Sequence, residues 1–330
     1  MNFNKIPPVP TSTQILDITF RKAREHGQQK NLKGNWLQII RAKEALKLDV
    51  VKDSICNKLE GILSSFPQTY DLPAFYQRLL ELTLEPALLK KGLASLVWAE
   101  QQIKKFQKEY VHRVIKEKDP QRVKLLSGQA YGRISSVLKQ ISPQLEYLEE
   151  SRQIMRTYPD IKEMFTVCVY GFPNVGKTSL LNKLSGTKAK VAAYAFTTKS
   201  INSGFINING HPVQILDVPG TLARPEKMNL IELQAELVLE ELAKVIIFVL
   251  DLTQSCGYTL KQQEELLKKV RKQKKVLLYL SKKDITPQEV LDEFTLKYYS
   301  LEEIKEILGK MVEQEAKEKM ENEEKVIREQ

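Results

Sequence analysis

Apolar residues recur every three or four positions through the first half of the chain, and in short continuous runs through the second. After Pro10, the potential cap residues Thr11, Ser12 and Thr13 precede Ile15, Leu16, Ile18, Thr19 and Ala23 at helical spacing. Further periodic segments lie near 36–62, 72–83, 87–118, 120–140 and 143–156, separated by Pro67, Pro73, Pro86, Pro120 and Pro143. Strand signals are nearly absent there, so the pattern predicts a helical bundle packed through its apolar stripes.

Near Pro159 the period changes. Thr166–Tyr170 is a β-prone run ending at a glycine, and similar runs recur at Val213–Leu216, Val245–Leu250 and Val276–Leu280. Helical stretches near 177–185, 229–243 and 260–274 separate them, which predicts a mainly parallel sheet covered by helices on both faces. The runs at 245–250 and 276–280 suit central strands. Residues 201–208, followed by Asn209-Gly210, predict an antiparallel hairpin into the next strand. From 302 onward the chain reads as a charged helix. The expected division is a helical bundle over 1–160, an α/β domain over 161–310 and a charged helical tail over 311–330.

Composition narrows the class. At 330 residues, 42% hydrophobic and 28% charged, the chain can bury a core. No run approaches the roughly 18 apolar residues of a membrane span, and the first residues lack the apolar stretch of a signal peptide, so no membrane role is expected. Three cysteines (Cys56, Cys168 and Cys256) at unrelated spacings, with three histidines, exclude a disulfide framework and the usual zinc sites. A reducing, cytoplasmic setting is expected. The net charge is +10, and it is uneven: residues 1–160 carry 26 basic and 17 acidic side chains, the remainder 25 and 24. Lys104, Lys105, Lys108, Arg113, Lys116, Lys118, Arg122 and Lys124 cluster on two successive predicted helices. Such a surface suits a polyanion such as RNA, although on charge alone a solvated helical face reads the same.

The chemistry begins at Gly171-Phe172-Pro173-Asn174-Val175-Gly176-Lys177-Thr178, which fits G-x-x-x-x-G-K-[ST] between a strand and a helix. The glycines let the loop wrap closely so that its amides cradle phosphate oxygens, and the following helix presents its positive end to the same anion. Lys177 is expected to reach the outer phosphates, Thr178 to take a Mg²⁺ position, and Ser179 to sit in the same first turn. Next, Asp217-Val218-Pro219-Gly220 ends a strand at the edge where ligands bind in open α/β sheets. Asp217 is expected to hold Mg²⁺, and the Gly220 amide to meet the γ-phosphate. Between these motifs lies Tyr194-Ala195-Phe196-Thr197-Thr198-Lys199, where a threonine can close over that phosphate and its metal; Thr198 is preferred to Thr197.

Base choice falls to Ser281-Lys282-Lys283-Asp284, at the end of the run 276–280. In guanine-binding proteins the corresponding turn is [NT]-K-x-D, whose aspartate accepts two guanine N–H groups that adenine lacks. A buried acceptor of this kind discriminates strongly because the wrong base leaves it unpaired. Ser281 departs from the first position, so selectivity rests on Asp284. A short strand ending at Tyr299, with Ser300 and Leu301 offering amides to guanine O6, completes the expected set.

In order and wording these elements resemble the translation-factor-related GTPases of the Obg branch, whose members carry Y-P-F-T-T in the segment before D-x-x-G. Lys5-Ile6-Pro7-Pro8-Val9-Pro10-Thr11 and Tyr131-Gly132-Arg133 extend the likeness, over about residues 1–310, to the nucleolar GTP-binding (Nog) family in its short archaeal form. The resemblance implies an N-terminal helical bundle followed by a Ras-like P-loop GTPase domain. It also implies GTP, GDP and Mg²⁺ as ligands and a monomer acting in assembly of the large ribosomal subunit, with rRNA, ribosomal proteins or a precursor particle as partners. Two departures stand out: Ala195 for the family proline and Ser281 for its asparagine. Thr221 follows Gly220 where Ras-like enzymes place a water-orienting glutamine, which predicts slow intrinsic hydrolysis, of the order of 10⁻⁴–10⁻² s⁻¹. Asn174 resembles the position that holds K⁺ in potassium-activated relatives, where the ion replaces an arginine finger. Two other readings remain open: a GTP-dependent scaffold that does not hydrolyse, and an adenine-nucleotide enzyme of the same fold.

Overall fold

The computed structural model describes residues 3–29, 34–159, 161–162, 164–185, 192–194, 201–218 and 230–329. Two compact units emerge, one formed by residues 2–72 and 83–156, the other by Pro73–Leu82 and 157–330.

The first unit is helical. It contains α1 (Ser12–Gln29) and α2 (Trp36–Ser65). The short α3 (Ala74–Thr83) lies almost wholly in the other unit, and the first unit continues with α4 (Pro86–Lys116), α5 (Pro120–Gln140) and α6 (Ser142–Met155). Local chemistry sets the starts. Thr11 accepts from Gln14 N at 3.3 Å while Gln14 Oε1 accepts from Thr11 N at 3.0 Å, a capping box that begins α1. Asn35 and Gln38 repeat the device for α2, and Asp119 caps α5. Pro86, Pro120 and Pro143 sit in the first turns of α4, α5 and α6, where a missing N–H costs nothing.

The apolar seam of α2 (Leu48, Val51, Ile55, Leu59 and Ile62) is buried against the other long helices, including Leu96 and Ile103 of α4 and Ile134 and Leu138 of α5. Each of these side chains contributes about 2 kcal/mol by leaving water. Gly92 of α4 lets Leu148 of α6 approach closely, since a Cβ there would lie 3.3 Å from the leucine tip.

The second unit is a six-stranded sheet ordered β2-β3-β4-β1-β5-β6. Its elements in chain order are β1 (Phe165–Tyr170), α7 (Lys177–Ser185), β2 (Ala192–Tyr194), β3 (Ile201–Ile208) and β4 (His211–Asp217). They continue with α8 (Leu230–Glu241), β5 (Val245–Asp251), α9 (Leu260–Arg271), β6 (Val276–Ser281), α10 (Gln288–Glu293) and α11 (Leu301–Glu329). Strand β1 pairs in parallel with β4 and β5, and β5 with β6, so the carboxyl ends of four strands lie along one edge. Every residue of β1 and β5 is buried, as a strand covered on both faces requires. Strand β3 runs antiparallel to both β2 and β4. Asn209 (φ 52°) and Gly210 (φ 85°) turn the β3–β4 hairpin, both in the left-handed conformation that a tight two-residue turn requires.

Helix α3 packs in this unit although it lies between α2 and α4 in sequence. It buries Phe75, Tyr76, Leu79 and Leu80. Tyr76 donates to Pro159 O at 2.6 Å and accepts from Ile161 N at 3.0 Å. Arg78 reaches Glu240 at 2.8 Å and Glu241 at 2.6 Å, at the end of α8. Helix α11 docks on β3 and β4 through buried Ile304, Leu308 and Val312, and Asn209 holds Glu313 at 2.9 Å. Among the described residues no helix is long and apolar enough to cross a membrane.

Candidate functional site

Strand β1 delivers the chain into the phosphate loop at the sheet's carboxyl edge. Gly171 has φ 148°, and a Cβ on it would lie 2.6 Å from Val249 O, so only glycine fits there without moving β5. Gly176 has φ 96° and Asn174 φ 61°, the latter exposed at the loop tip. Val175 is buried and anchors the loop from below, Pro173 is half-buried, and α7 starts with Leu180 N bonded to Gly176 O at 3.0 Å. The N-terminus of α7, the positive end of its dipole, therefore opens at the loop. The buried Lys177 folds back so that Nζ donates to Phe172 O at 2.9 Å, spanning the cradle. Ser179 is exposed in the same turn.

The metal end is built by register. Val169 of β1 lies beside Asp217 of β4, and Val218 N bonds Val169 O at 3.1 Å. That pairing brings Thr178 and Asp217 face to face: Thr178 Oγ1 donates to Asp217 Oδ2 at 2.5 Å. One hydroxyl and one carboxylate at the mouth of a phosphate cradle fit a small hard cation that completes its shell with phosphate oxygens and water. Among the described residues no group of three or more histidine, cysteine or carboxylate side chains forms a metal cage. Thr197, Thr198 and Gly220 lie outside the described residues.

The base end is built at β6. Gly176 faces Ser281, 3.6 Å from a Cβ built on the glycine to that of the serine, so the two loops adjoin. The Ser281 hydroxyl donates to Leu250 O at 3.2 Å and is spent inside the sheet. Lys282 has φ 53°, and its carbonyl accepts from Ile285 N at 3.1 Å and Thr286 Oγ1 at 2.8 Å. These bonds close the single turn Lys283–Ile285, which displays Asp284 to solvent.

The short strand expected to end at Tyr299 is corrected. No strand forms there; Tyr299 N donates to Leu278 O at 2.9 Å beside β6, and Ser300 caps α11. The Ser300 amide is committed to Glu303 Oε2 at 2.7 Å, while Glu303 N returns a bond to Ser300 Oγ at 3.2 Å. Here the start of α11 engages that amide. Leu301 is half-buried as the first residue of α11.

Sequence reasoning missed Asp251, a fully buried carboxylate at the end of β5 that pairs with Lys282 Nζ at 2.7 Å. Burial pushes its pKa up, but the bonds from Lys282 and Thr253 outweigh that and hold it below the ordinary aspartate value. The signal was present: an acid ending a core strand is the criterion that selected Asp217.

A mostly parallel sheet with a phosphate-wrapping loop after β1, a carboxylate at the end of β4 and a carboxylate-bearing turn after β6 defines the guanine-nucleotide-binding P-loop class. Residues 166–282 match the family described as 50S ribosome-binding GTPase, and residues 3–162 the family described as NOG1 N-terminal helical domain. The chain is 33% identical over 293 residues to an uncharacterized protein of Methanocaldococcus jannaschii, covering 87% of this chain and 82% of that one. It is 34% identical over 298 residues to nucleolar GTP-binding protein 1 of Arabidopsis thaliana, covering 88% of this chain and 44% of the relative. With the protein of the same name from Drosophila melanogaster it shares 32% over 313 residues, 93% of this chain and 48% of the relative. The chain thus belongs to the nucleolar GTP-binding protein 1 family, and spans under half the length of those two named relatives.

Proposed function

We propose that the chain is a GTP-binding and GTP-hydrolysing switch of the Obg branch, acting in assembly of the large ribosomal subunit. The observation that carries the nucleotide half is the meeting of Thr178 and Asp217 at 2.5 Å beside the Lys177 cradle, with the Asp284 turn on the adjoining loop. In this reading Lys177 and the loop amides bind the phosphates, and Thr178 and Asp217 hold Mg²⁺, with Thr198 as a further ligand. The cation supplies charge neutralisation at the phosphates. Gly220 senses the γ-phosphate, and Lys282 and Asp284 select guanine. Asn174 holds K⁺, which supplies the positive charge that an arginine finger supplies in other GTPases.

The helical unit supports the partner half. Lys104, Lys105, Lys108, Arg113, Lys116, Lys118, Arg122 and Lys124 are all exposed along the end of α4 and the start of α5. Lys104 is drawn to Glu60 and Glu100, and Arg113 to Glu109, but the other six make no ion pair among the described residues. Charges left in solvent serve a phosphate backbone, whose affinity falls steeply with salt as counterions are released. Recognition is then of RNA shape and charge rather than base sequence.

The test is GTP turnover by the full chain, titrated with purified large-subunit particles at two salt concentrations. Turnover that rises with particles, through binding weakened by salt, is the expected result. A chain that never turns over GTP, or whose turnover and sedimentation ignore the particles, contradicts the proposal.

A further inference from the structure

Asp251 closes β5 with none of its surface exposed and with donors on every side. Its Oδ1 accepts from the Thr253 amide at 3.0 Å and hydroxyl at 2.6 Å. Its Oδ2 accepts from Lys282 Nζ at 2.7 Å, the Cys256 amide at 3.1 Å and the Ser255 hydroxyl at 3.2 Å. A buried carboxylate is tolerated only when paired and hydrogen-bonded, and this one is both. Gln263, equally buried, fixes the same corner: its Oε1 accepts from Asp251 N at 2.9 Å, and its Nε2 donates to Asp251 O at 3.0 Å and Tyr258 O at 3.1 Å. The Tyr258 ring stacks on Phe172 of the phosphate loop, with centroids 4.3 Å apart. The loop after β5 therefore touches both ends of the nucleotide site.

What the web holds is Lys282. A lysine occupies the left-handed region only when its surroundings impose it, and here φ is 53°. The head is bolted to Asp251 and to Ser255 Oγ at 2.8 Å, while the carbonyl closes the turn that carries Asp284. Register places the anchor directly alongside, since Asp251 of β5 is the partner of Ser281 in β6. Ser281 spends its own hydroxyl on Leu250 O, which leaves the Asp251–Lys282 pair to align the turn.

We propose that Asp251 is a positioning residue for base selection: by anchoring Lys282 it sets the turn that presents Asp284 to guanine. This rests on the guanine-binding reading and extends it to a residue outside the recognised motifs. The test is competition of GTP and of ATP against a fluorescent guanine nucleotide, using the full chain as wild type, Asp251→Asn, and the double variant Thr253→Val/Ser255→Ala. The double variant strips two hydroxyls from the carboxylate and serves should Asp251→Asn not fold. Wild type is expected to prefer GTP. Asp251→Asn lowers that preference about ten-fold, with ATP affinity held because the phosphate loop is intact, and the double variant lowers it by a smaller factor. Equal loss of GTP and ATP, or an unchanged ratio in a wild type that prefers GTP, overturns the proposal and leaves the guanine reading standing. A wild type without preference overturns both.

Discussion

The phosphate end and the base end of the nucleotide site are built by opposite means. At the phosphate end the work is done by backbone: glycines at φ 148° and 96°, the N-terminus of α7, and a lysine folded onto a main-chain carbonyl. At the base end it is done by side chains, with Asp251, Gln263, Thr253, Ser255 and Lys282 bonded into one web around a turn. The difference has a physical source. A triphosphate presents the same charge whatever its base, so a fixed cradle of dipoles suffices. Discrimination between bases depends on the placement of one acceptor, so the turn that carries it must be held from several directions.

The largest expected effect breaks the phosphate end. In Gly171→Ala the new methyl meets Val249 O at 2.6 Å in a backbone conformation alanine avoids. The variant should lose about 2–4 kcal/mol of stability and all measurable nucleotide binding, read by thermal unfolding and by fluorescent-nucleotide titration. Wild-type binding would show that the cradle tolerates a side chain and that its geometry is not the determinant.

A smaller effect sharpens the comparison at the loop tip. Asn174 stands at φ 61°, so Asn174→Ala confounds loss of the amide with backbone strain. Asn174→Gly removes the amide and keeps the conformation. If the amide holds K⁺, the wild type hydrolyses GTP faster in K⁺ than in Na⁺, and the glycine variant turns over equally in both salts. Retained K⁺ stimulation in Asn174→Gly would assign the asparagine to the turn alone.

Much of this was legible in the sequence where the cause is local. The hairpin at Asn209-Gly210, the phosphate loop and the strand ending in Asp217 lie where pattern and turn chemistry put them. Pro86, Pro120 and Pro143, which separate periodic segments, prove to be first-turn residues of the helices they precede. What stayed hidden depends on neighbours distant in sequence. Asp251 gains meaning only once β5 lies beside β6 and Lys282 comes within 2.7 Å. Tyr76 and Arg78 look like ordinary positions of a bundle helix until α3 is found bonded to Pro159, Ile161 and the end of α8. The strand expected to end at Tyr299 gives way to the cap of α11, which Ser300 begins, because the helix behind it is not evident from the short run alone.

The most direct measurement is the ratio of ATP to GTP dissociation constants for the wild type and for Asp284→Asn, at millimolar magnesium. The account predicts a wild type favouring GTP by about 10⁴-fold or more, since a guanine-shaped acceptor stays unpaired with adenine, and a variant in which most of that factor is gone. A wild type that takes both nucleotides equally, or an Asp284→Asn variant that discriminates as before, would contradict it.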